Sequence, residues 1–293
     1  MNSIFRKPFI PDSMRLIADS GSTKTDWILL DEDKVVSEYQ TVGLNPYLNS
    51  KENIMDVLRN DLLTSYCTGN IKSTRTIEFY GAGCSSEAKA KIIENALHSF
   101  FPFADIFVAH DLLGAAKAAC GSKPGIAIIL PSGSNSCYFD GENIINNVIS
   151  LGYILGDEGS GCYMGKKLLQ DYLNKDMPEN LRRILFEETG ITPEIVFDSI
   201  YKKPRPNKYM ASFSEWIGTH IKNHKYLKEL VYHAFDDFFN QHILKYKNRK
   251  SLPLNVVGSV GFAYQDILKE VAKKHDCNIG KIVKSPLEGL IIG

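Results

Sequence analysis

Asp19-Ser20-Gly21-Ser22-Thr23-Lys24-Thr25-Asp26 follows the apolar run Leu16-Ile17-Ala18 and precedes a second one, Trp27-Ile28-Leu29-Leu30. An acid closes a strand, and a glycine among small hydroxyl residues turns the chain back into the next strand. Such a turn points several backbone N–H groups and hydroxyls at one place, which makes a cradle for an anion. A nucleotide phosphate suits it, with Gly21, Ser22 and Thr23 as the contacting residues. Asp19 beside it can hold magnesium through water, because Mg²⁺ takes few carboxylates and keeps several waters. The same residue types also build ordinary hairpins, so the meaning of the octet depends on its partners.

The pattern repeats. Residues 126–130 are an apolar strand, Pro131-Ser132-Gly133-Ser134-Asn135-Ser136 is a turn, and 137–139 is a returning strand. Asp140-Gly141-Glu142-Asn143 is a second turn before Ile144-Ile145. Near the N-terminus the order is the same: strands 16–18 and 27–30, the acidic turn Asp31-Glu32-Asp33, and strand 34–39. We read this as an internal duplication of a strand–turn–strand unit. Between and after the copies, strands alternate with helices, the mark of an α/β protein. In the first half the spacing predicts helices over 51–63, 85–100 (capped by Ser85 or Ser86) and 111–119, and strands over 76–80 and 105–109. The second half is more helical, with helices over 161–173, 179–189, 193–199, 212–221, 226–246 and 264–275. A strand at 254–257 runs into Gly258-Ser259-Val260-Gly261, and 202–208 reads as a solvated loop.

Composition narrows the classes. The chain has 293 residues, 44% hydrophobic and 23% charged, enough for two domains of ordinary size. Lys+Arg and Asp+Glu are 34 each, so no global field favours nucleic acid or an acidic membrane. No apolar run approaches the ~18 residues of a membrane span. Residues 1–13 lack a signal-peptide core; residues 1–14 read as a disordered leader, with Met14 as an alternative start. Cysteines 67, 84, 120, 137, 162 and 277 are scattered without a C-x-x-C, which fits reduced thiols and a cytoplasmic location.

Three glycine–serine turns therefore follow apolar strands: 19–26, 130–136 and 257–261. Two hairpin turns facing each other can hold a polyphosphate from both sides. The third, at a strand–helix junction, can offer N–H groups to a nucleotide. Gly159-Ser160-Gly161-Cys162-Tyr163-Met164-Gly165-Lys166-Lys167 is no P-loop, since Ser160 occupies the first glycine position and Lys167 the Ser/Thr position. Two acids stand out. Asp111 opens a helix after a strand, where a general base for phosphoryl transfer could sit; a helix N-cap is the plainer reading. Asp157-Glu158 lies between glycines that admit a ligand closely, or else merely starts a helix. Asn45, before Pro46, starts a turn or offers its amide to a sugar hydroxyl. His110 reads as a satisfied histidine.

Taken in order, these motifs resemble the actin/hexokinase/Hsp70 ATPase superfamily, and within it the BadF/BadG/BcrA/BcrD-type ATPases that include N-acetylglucosamine kinase. The resemblance runs from about residue 15 to 293. Residues 19–26 match the first phosphate motif, 131–136 the second, 257–260 the adenosine motif, and His110-Asp111 with Leu112-Leu113-Gly114-Ala115 the catalytic Asp and inter-domain helix. The match at Gly152–Gly161, around Leu155-Gly156-Asp157-Glu158-Gly159-Ser160, is the most specific. The resemblance implies an α/β fold of two actin-like (ribonuclease H-like) domains, 15–113 and 114–293, with a nucleotide cleft between them and the last segment packing back on the first. It implies ATP and Mg²⁺ as cofactors and an amino sugar as substrate. Gly21, Ser22, Thr23, Ser132, Gly133, Gly258 and Ser259 would bind ATP. Asn45, Asp111, Ser134, Asn135, Gly152 and Asp157 would bind the sugar, with Asp111 as base. Asp19 and Asp157 would hold Mg²⁺ through water.

The chain departs from the family at Pro131, where a glycine is usual, and at Leu151, where the amino-sugar kinases carry Trp. Residues 220–226 lack the glycine of the family's adenine segment, and the Cys-x-Cys signature of the ROK sugar kinases is missing. N-acetylglucosamine is the expected substrate, with N-acetylmuramic acid and glucosamine as alternatives. An activator ATPase of a dehydratase and a non-catalytic sugar or nucleotide sensor are the readings from other classes. No nucleic-acid or membrane partner is expected, and a homodimer is the protein assembly left open.

Overall fold

A computed structural model describes residues 13–21, 24–66 and 68–292. The leader expectation for 1–12, the calls on Ser22 and Thr23, and Cys67 lie outside the described residues; Met14 begins the first strand. The described residues form two compact units, one of residues up to Ala118 together with the segment from Pro286, the other Ala119–Ser285.

The first unit holds β1 (Met14–Ser20), β2 (Lys24–Asp31), β3 (Lys34–Val42), β4 (Thr74–Gly81) and β5 (Asp105–His110). The second holds β6 (Gly125–Ile129), β7 (Asn135–Phe139), β8 (Ile144–Val148), β9 (Leu254–Val257) and β10 (Ile279–Val283). The sheet orders are β3-β2-β1-β4-β5 and β10-β9-β6-β7-β8. Read from the meander side, both run third, second, first, fourth, fifth. The duplication seen in the hairpins thus extends to the whole sheet. This is the α/β, actin-like architecture that the resemblance implies.

Registers follow suit. β1 pairs antiparallel with β2 (Asp19↔Asp26) and parallel with β4 (Asp19↔Tyr80). β6 pairs antiparallel with β7 (Ile129↔Asn135) and parallel with β9 (Ile129↔Val257). Strands β1, β3, β4 and β5 therefore share one carboxyl edge in the first sheet, as β6, β8, β9 and β10 do in the second. Ligands of open α/β sheets gather at such edges.

Central strands need apolar residues on both faces. On β1, Leu16 and Ala18 enter a core with Trp27, Phe79, Ile93 and Leu97. Ile17, pointing the other way, packs with Ile28, Leu30, Ala118, Leu287 and Leu290. The last two lie on helix Pro286–Ile292, which covers the second face. In the second unit, Ile126, Ile128 and Leu130 pack with Phe235, Phe238 and Leu268.

Several boundaries moved from the sequence reading. The helix over 51–63 is interrupted by a π-helical turn, Leu58–Leu62. The loop over 202–208 is shortened because helix Pro206–His220 starts inside it, with Pro206 at its first position and Arg205 at φ 61° leading in. The helix over 226–246 stops at Gln241, and a 3₁₀ turn, Ile243–Lys245, follows. Strand β10, helix Gly152–Leu155 and helix Pro286–Ile292 were not anticipated.

Candidate active site

In the first unit, the carboxyl edge of the sheet gathers acids. Asp19 ends β1 one residue before the turn, and the Gly21 N–H donates to Lys24 O at 3.0 Å, closing the hairpin. Burial, then the charge of Asp111, then that of Asp26, push the Asp19 carboxyl up from 3.8 to about 7, against a smaller opposing pull from Lys24. Two carboxylates at one edge with little countercharge suit a cation. The donors are hard oxygens, which fit Mg²⁺. Among the described residues no three His, Cys, Asp or Glu side chains gather as a metal cage. A cation here would take most of its ligands from water and phosphate.

Asp111 opens helix Asp111–Cys120 directly after β5. Its Oδ1 accepts from Leu112 N–H at 2.8 Å, and the side chain remains 39% exposed, accessible to a ligand. His110, read from the sequence as a satisfied histidine, sits beside it with Nδ1 3.1 Å from Asp111 Oδ1, and Nδ1 also takes the Leu112 N–H at 3.2 Å. The imidazole is itself 37% exposed. Nothing in the bare sequence marked this pair beyond adjacency.

Asn45 follows β3. Its Oδ1 accepts from Tyr47 N–H at 2.9 Å, and its carbonyl takes the N–H groups of Leu48 and Asn49. Gly83, at φ 85°, lies against it; a Cβ there would stand 2.3 Å from Asn45 Oδ1. The loop after β4 thus sets where Asn45 lies. Cys84 in that loop has its thiol pushed up to about 12 by burial and by the Asp111 charge.

In the second unit, the turn after β6 is built by its neighbours. The first N–H groups of helix Gly161–Asn174 donate to Pro131 O and Ser132 O, both at 3.1 Å. Ser160 caps the same helix by accepting from Tyr163 N–H at 3.1 Å. Those donors are spent on the turn, a second reason that this segment is no P-loop. Val260 and Gly261 donate to Leu130 O at 3.1 and 3.2 Å, and Gly258 (φ 132°) lies so close that a Cβ would meet the Leu130 carbonyl at 2.5 Å. The second phosphate turn and the adenosine motif are therefore one packed structure. Ser132 and Ser259 are exposed on it.

Asp157 packs against that turn. Its Oδ1 receives the Ser134 N–H at 3.4 Å and the Ser150 hydroxyl at 3.3 Å, and it sits in the left-handed region at φ 60°. Burial raises its pKa, opposed by the Ser134 N–H, the Ser150 hydroxyl and Lys166. Ser134 is 5% exposed and its Oγ has no hydrogen-bond partner among the described residues; a buried hydroxyl left so is a place for a ligand atom. Asn135 spends its Oδ1 on Ser136 N–H and Asn147 Nδ2. Gly152, at φ 72°, faces open space. The structure brings Ser134, Ser150 and Asp157 together; Asn135, next in the chain, begins β7 opposite Ile129.

No family model matches the chain, and no curated protein matches it. Solved structures do. A protein of Porphyromonas gingivalis, provisionally named an N-acetylglucosamine kinase, is similar at 45% identity and TM-score 0.88, over 94% of this chain and 97% of that one. The chain belongs to the BadF/BadG-type ATPase family of the actin/hexokinase/Hsp70 superfamily. Two further structures are alike in fold alone. A protein of Chromobacterium violaceum with the same provisional name has 17% identity and TM-score 0.70, over 95% and 98% of the two chains. A ROK family glucokinase of Streptomyces griseus, solved with glucose and AMPPNP, has 14% identity and TM-score 0.53, over 95% and 97%. Among the described residues no helix is long and apolar enough to cross a membrane.

Proposed function

We propose that this chain is an ATP-dependent sugar kinase that moves the γ-phosphoryl group of ATP to a hydroxyl of an amino sugar, N-acetylglucosamine at its 6-hydroxyl. The observation that carries this reading is the family membership with a 45% identical relative across nearly the whole chain. The acids at the carboxyl edge of the first unit and the unpartnered Ser134 hydroxyl in the second give it a chemical basis.

In this reading Asp111 takes the proton of the attacking sugar hydroxyl as its oxygen bonds to the γ-phosphorus and the bond to ADP breaks. Its side chain is 39% exposed at the start of helix Asp111–Cys120, where a substrate hydroxyl can reach it. Gly21, Ser22, Thr23, Ser132, Gly133, Gly258 and Ser259 hold ATP. Asn45, Ser134, Asn135, Gly152 and Asp157 hold the sugar. Mg²⁺, held through water by Asp19 and Asp157, would neutralise phosphate charge. The chain acts in the cytoplasm.

A coupled ADP-release screen over N-acetylglucosamine, glucosamine, N-acetylmannosamine, N-acetylmuramic acid and glucose tests the proposal. Release with N-acetylglucosamine above all others is expected. Release with none would leave a sensor. Asp111→Asn should cut turnover by about 10² or more while sugar binding persists; near-normal turnover would remove Asp111 from its role.

A further inference from the structure

Behind the Asp157 loop lies a buried polar chain, Glu158, His242, Ser136 and Tyr246, to which the proposed function assigns no role. Glu158 turns inward, and its Oε2 stands 3.8 Å from His242 Nε2, the two side chains being 17% and 5% exposed. The imidazole stacks on Phe238, with ring centroids 4.8 Å apart and planes at 18°. Its Nδ1 is 3.3 Å from Ser136 Oγ, which is 2.9 Å from the Tyr246 hydroxyl. That hydroxyl accepts from Val148 N–H at 3.1 Å.

One arrangement of hydrogens satisfies every contact. Val148 N–H donates to Tyr246, the Tyr246 hydroxyl to Ser136, and the Ser136 hydroxyl to His242 Nδ1, which leaves the ring proton on the nitrogen that faces the Glu158 carboxyl. Burial, and then Lys245, lower the His242 pKa to about 4, so the ring is neutral. In this arrangement its one proton is on Nε2, the nitrogen 3.8 Å from Glu158 Oε2. The chain thus joins the ends of β7 and β8 to the loop 156–159. The loop needs such support. Asp157 is a non-glycine residue in the left-handed region, and Gly159 (φ 74°) is wedged where a Cβ would meet Phe238 Cβ at 2.9 Å.

We propose that His242 is a positioning residue, which through Glu158 on one side and Ser136–Tyr246 on the other fixes the Asp157 loop in its ligand-binding form. Asp157 as a sugar ligand rests on the function proposed above; the ordering of the loop does not.

The test uses His242→Phe, which keeps the stack and the volume but removes both nitrogens, and Glu158→Gln, which approaches the same contact from the loop. In the full chain without ligand, amide hydrogen exchange of residues 156–160 should rise about tenfold in each variant, with the other amides of the second unit unchanged. For sugar phosphorylation, the KM for sugar should rise about tenfold while kcat and the KM for ATP stay within about twofold. The double variant should be no worse than either single. Unchanged exchange at 156–160 would overturn the proposal, as would a rise spread evenly over the unit. If His242→Phe does not fold, Tyr246→Phe, which removes one hydroxyl from the far end of the chain, should give the same local rise, and its absence counts equally against the idea. If the wild type phosphorylates no amino sugar, the kinase reading fails while the exchange comparison still decides this one.

Discussion

Asp19→Asn, in protein freed of divalent cations by chelation, should make the first unit more stable, and increasingly so as pH rises. The native carboxyl has its pKa raised from 3.8 to about 7, first by burial and then by the Asp111 charge. Between those two values the folded state binds more protons than the unfolded one. Stability from this group is therefore complete below about pH 4 and is lost as pH rises through 7. The span between 3.8 and about 7 sets a ceiling of about 4 kcal/mol. The carboxylate is partly exposed, and solvent screening brings the expected effect to ~2 kcal/mol. Asparagine keeps the shape without the charge, so the variant should match the wild type near pH 4 and exceed it by that amount at pH 8. The chain has two tryptophans, and Trp27 lies in the core of the first unit. In a Trp216→Phe background, urea unfolding followed by fluorescence reports that unit alone. A stability difference that stays constant from pH 5 to 8, or a variant weaker than wild type at pH 8, would refute the account of Asp19. Mg·ATP should stabilise the wild type more than the variant.

Gly165→Ala should cost about 3–5 kcal/mol in urea unfolding, because a Cβ would stand 1.8 Å from Met210 O on helix Pro206–His220. Gly152→Ala, at φ 72° in open space, should cost only about 1 kcal/mol of backbone strain. Gly83→Ala would drive a Cβ to 2.3 Å from Asn45 Oδ1; the KM for sugar should rise about tenfold with the KM for ATP unchanged, as steady-state kinetics will register. His242, faced by Glu158, Lys245, Ser136 and Tyr246, is neutral in the fold with its pKa lowered from 6.5 to about 4. The unfolded chain binds more protons between those values, so stability is full above pH 6.5 and falls by up to about 3 kcal/mol as pH drops towards 4; His242→Phe should flatten that loss in acid titrations.

Much of the fold is legible because its signals are local. Apolar runs broken by Ser-Gly-Ser and acidic turns mark β1, β2, β6 and β7, and their recurrence marks the duplication. β10 was not legible: Ile279-Gly280-Lys281-Ile282-Val283 is short, holds a glycine and a lysine, and becomes a strand only because β9 offers it a parallel partner. The π-turn at Leu58–Leu62 leaves the helical spacing of its apolar residues intact. Pro206 looked like loop because a proline suits a helix's first position and a turn equally well, so the residue type alone does not separate them.

Residue types in the right turns are enough to nominate Asp19, Asp111, Asn45 and Asp157, because carboxylates, amides and glycines near strand ends are local facts. The chain by itself determined that a strand–turn–strand unit recurs, that each copy carries a small polar turn, and which acids stand near those turns. Only the tertiary structure decided what those residues feel. Asp19 is driven to about 7 by burial and by Asp111, 92 residues away in sequence. Asp157 is held by Ser134 and Ser150, and Glu158 is backed by His242. Burial, charge proximity and hydrogen-bond direction depend on distances in space between residues far apart along the chain, and no local pattern encodes them.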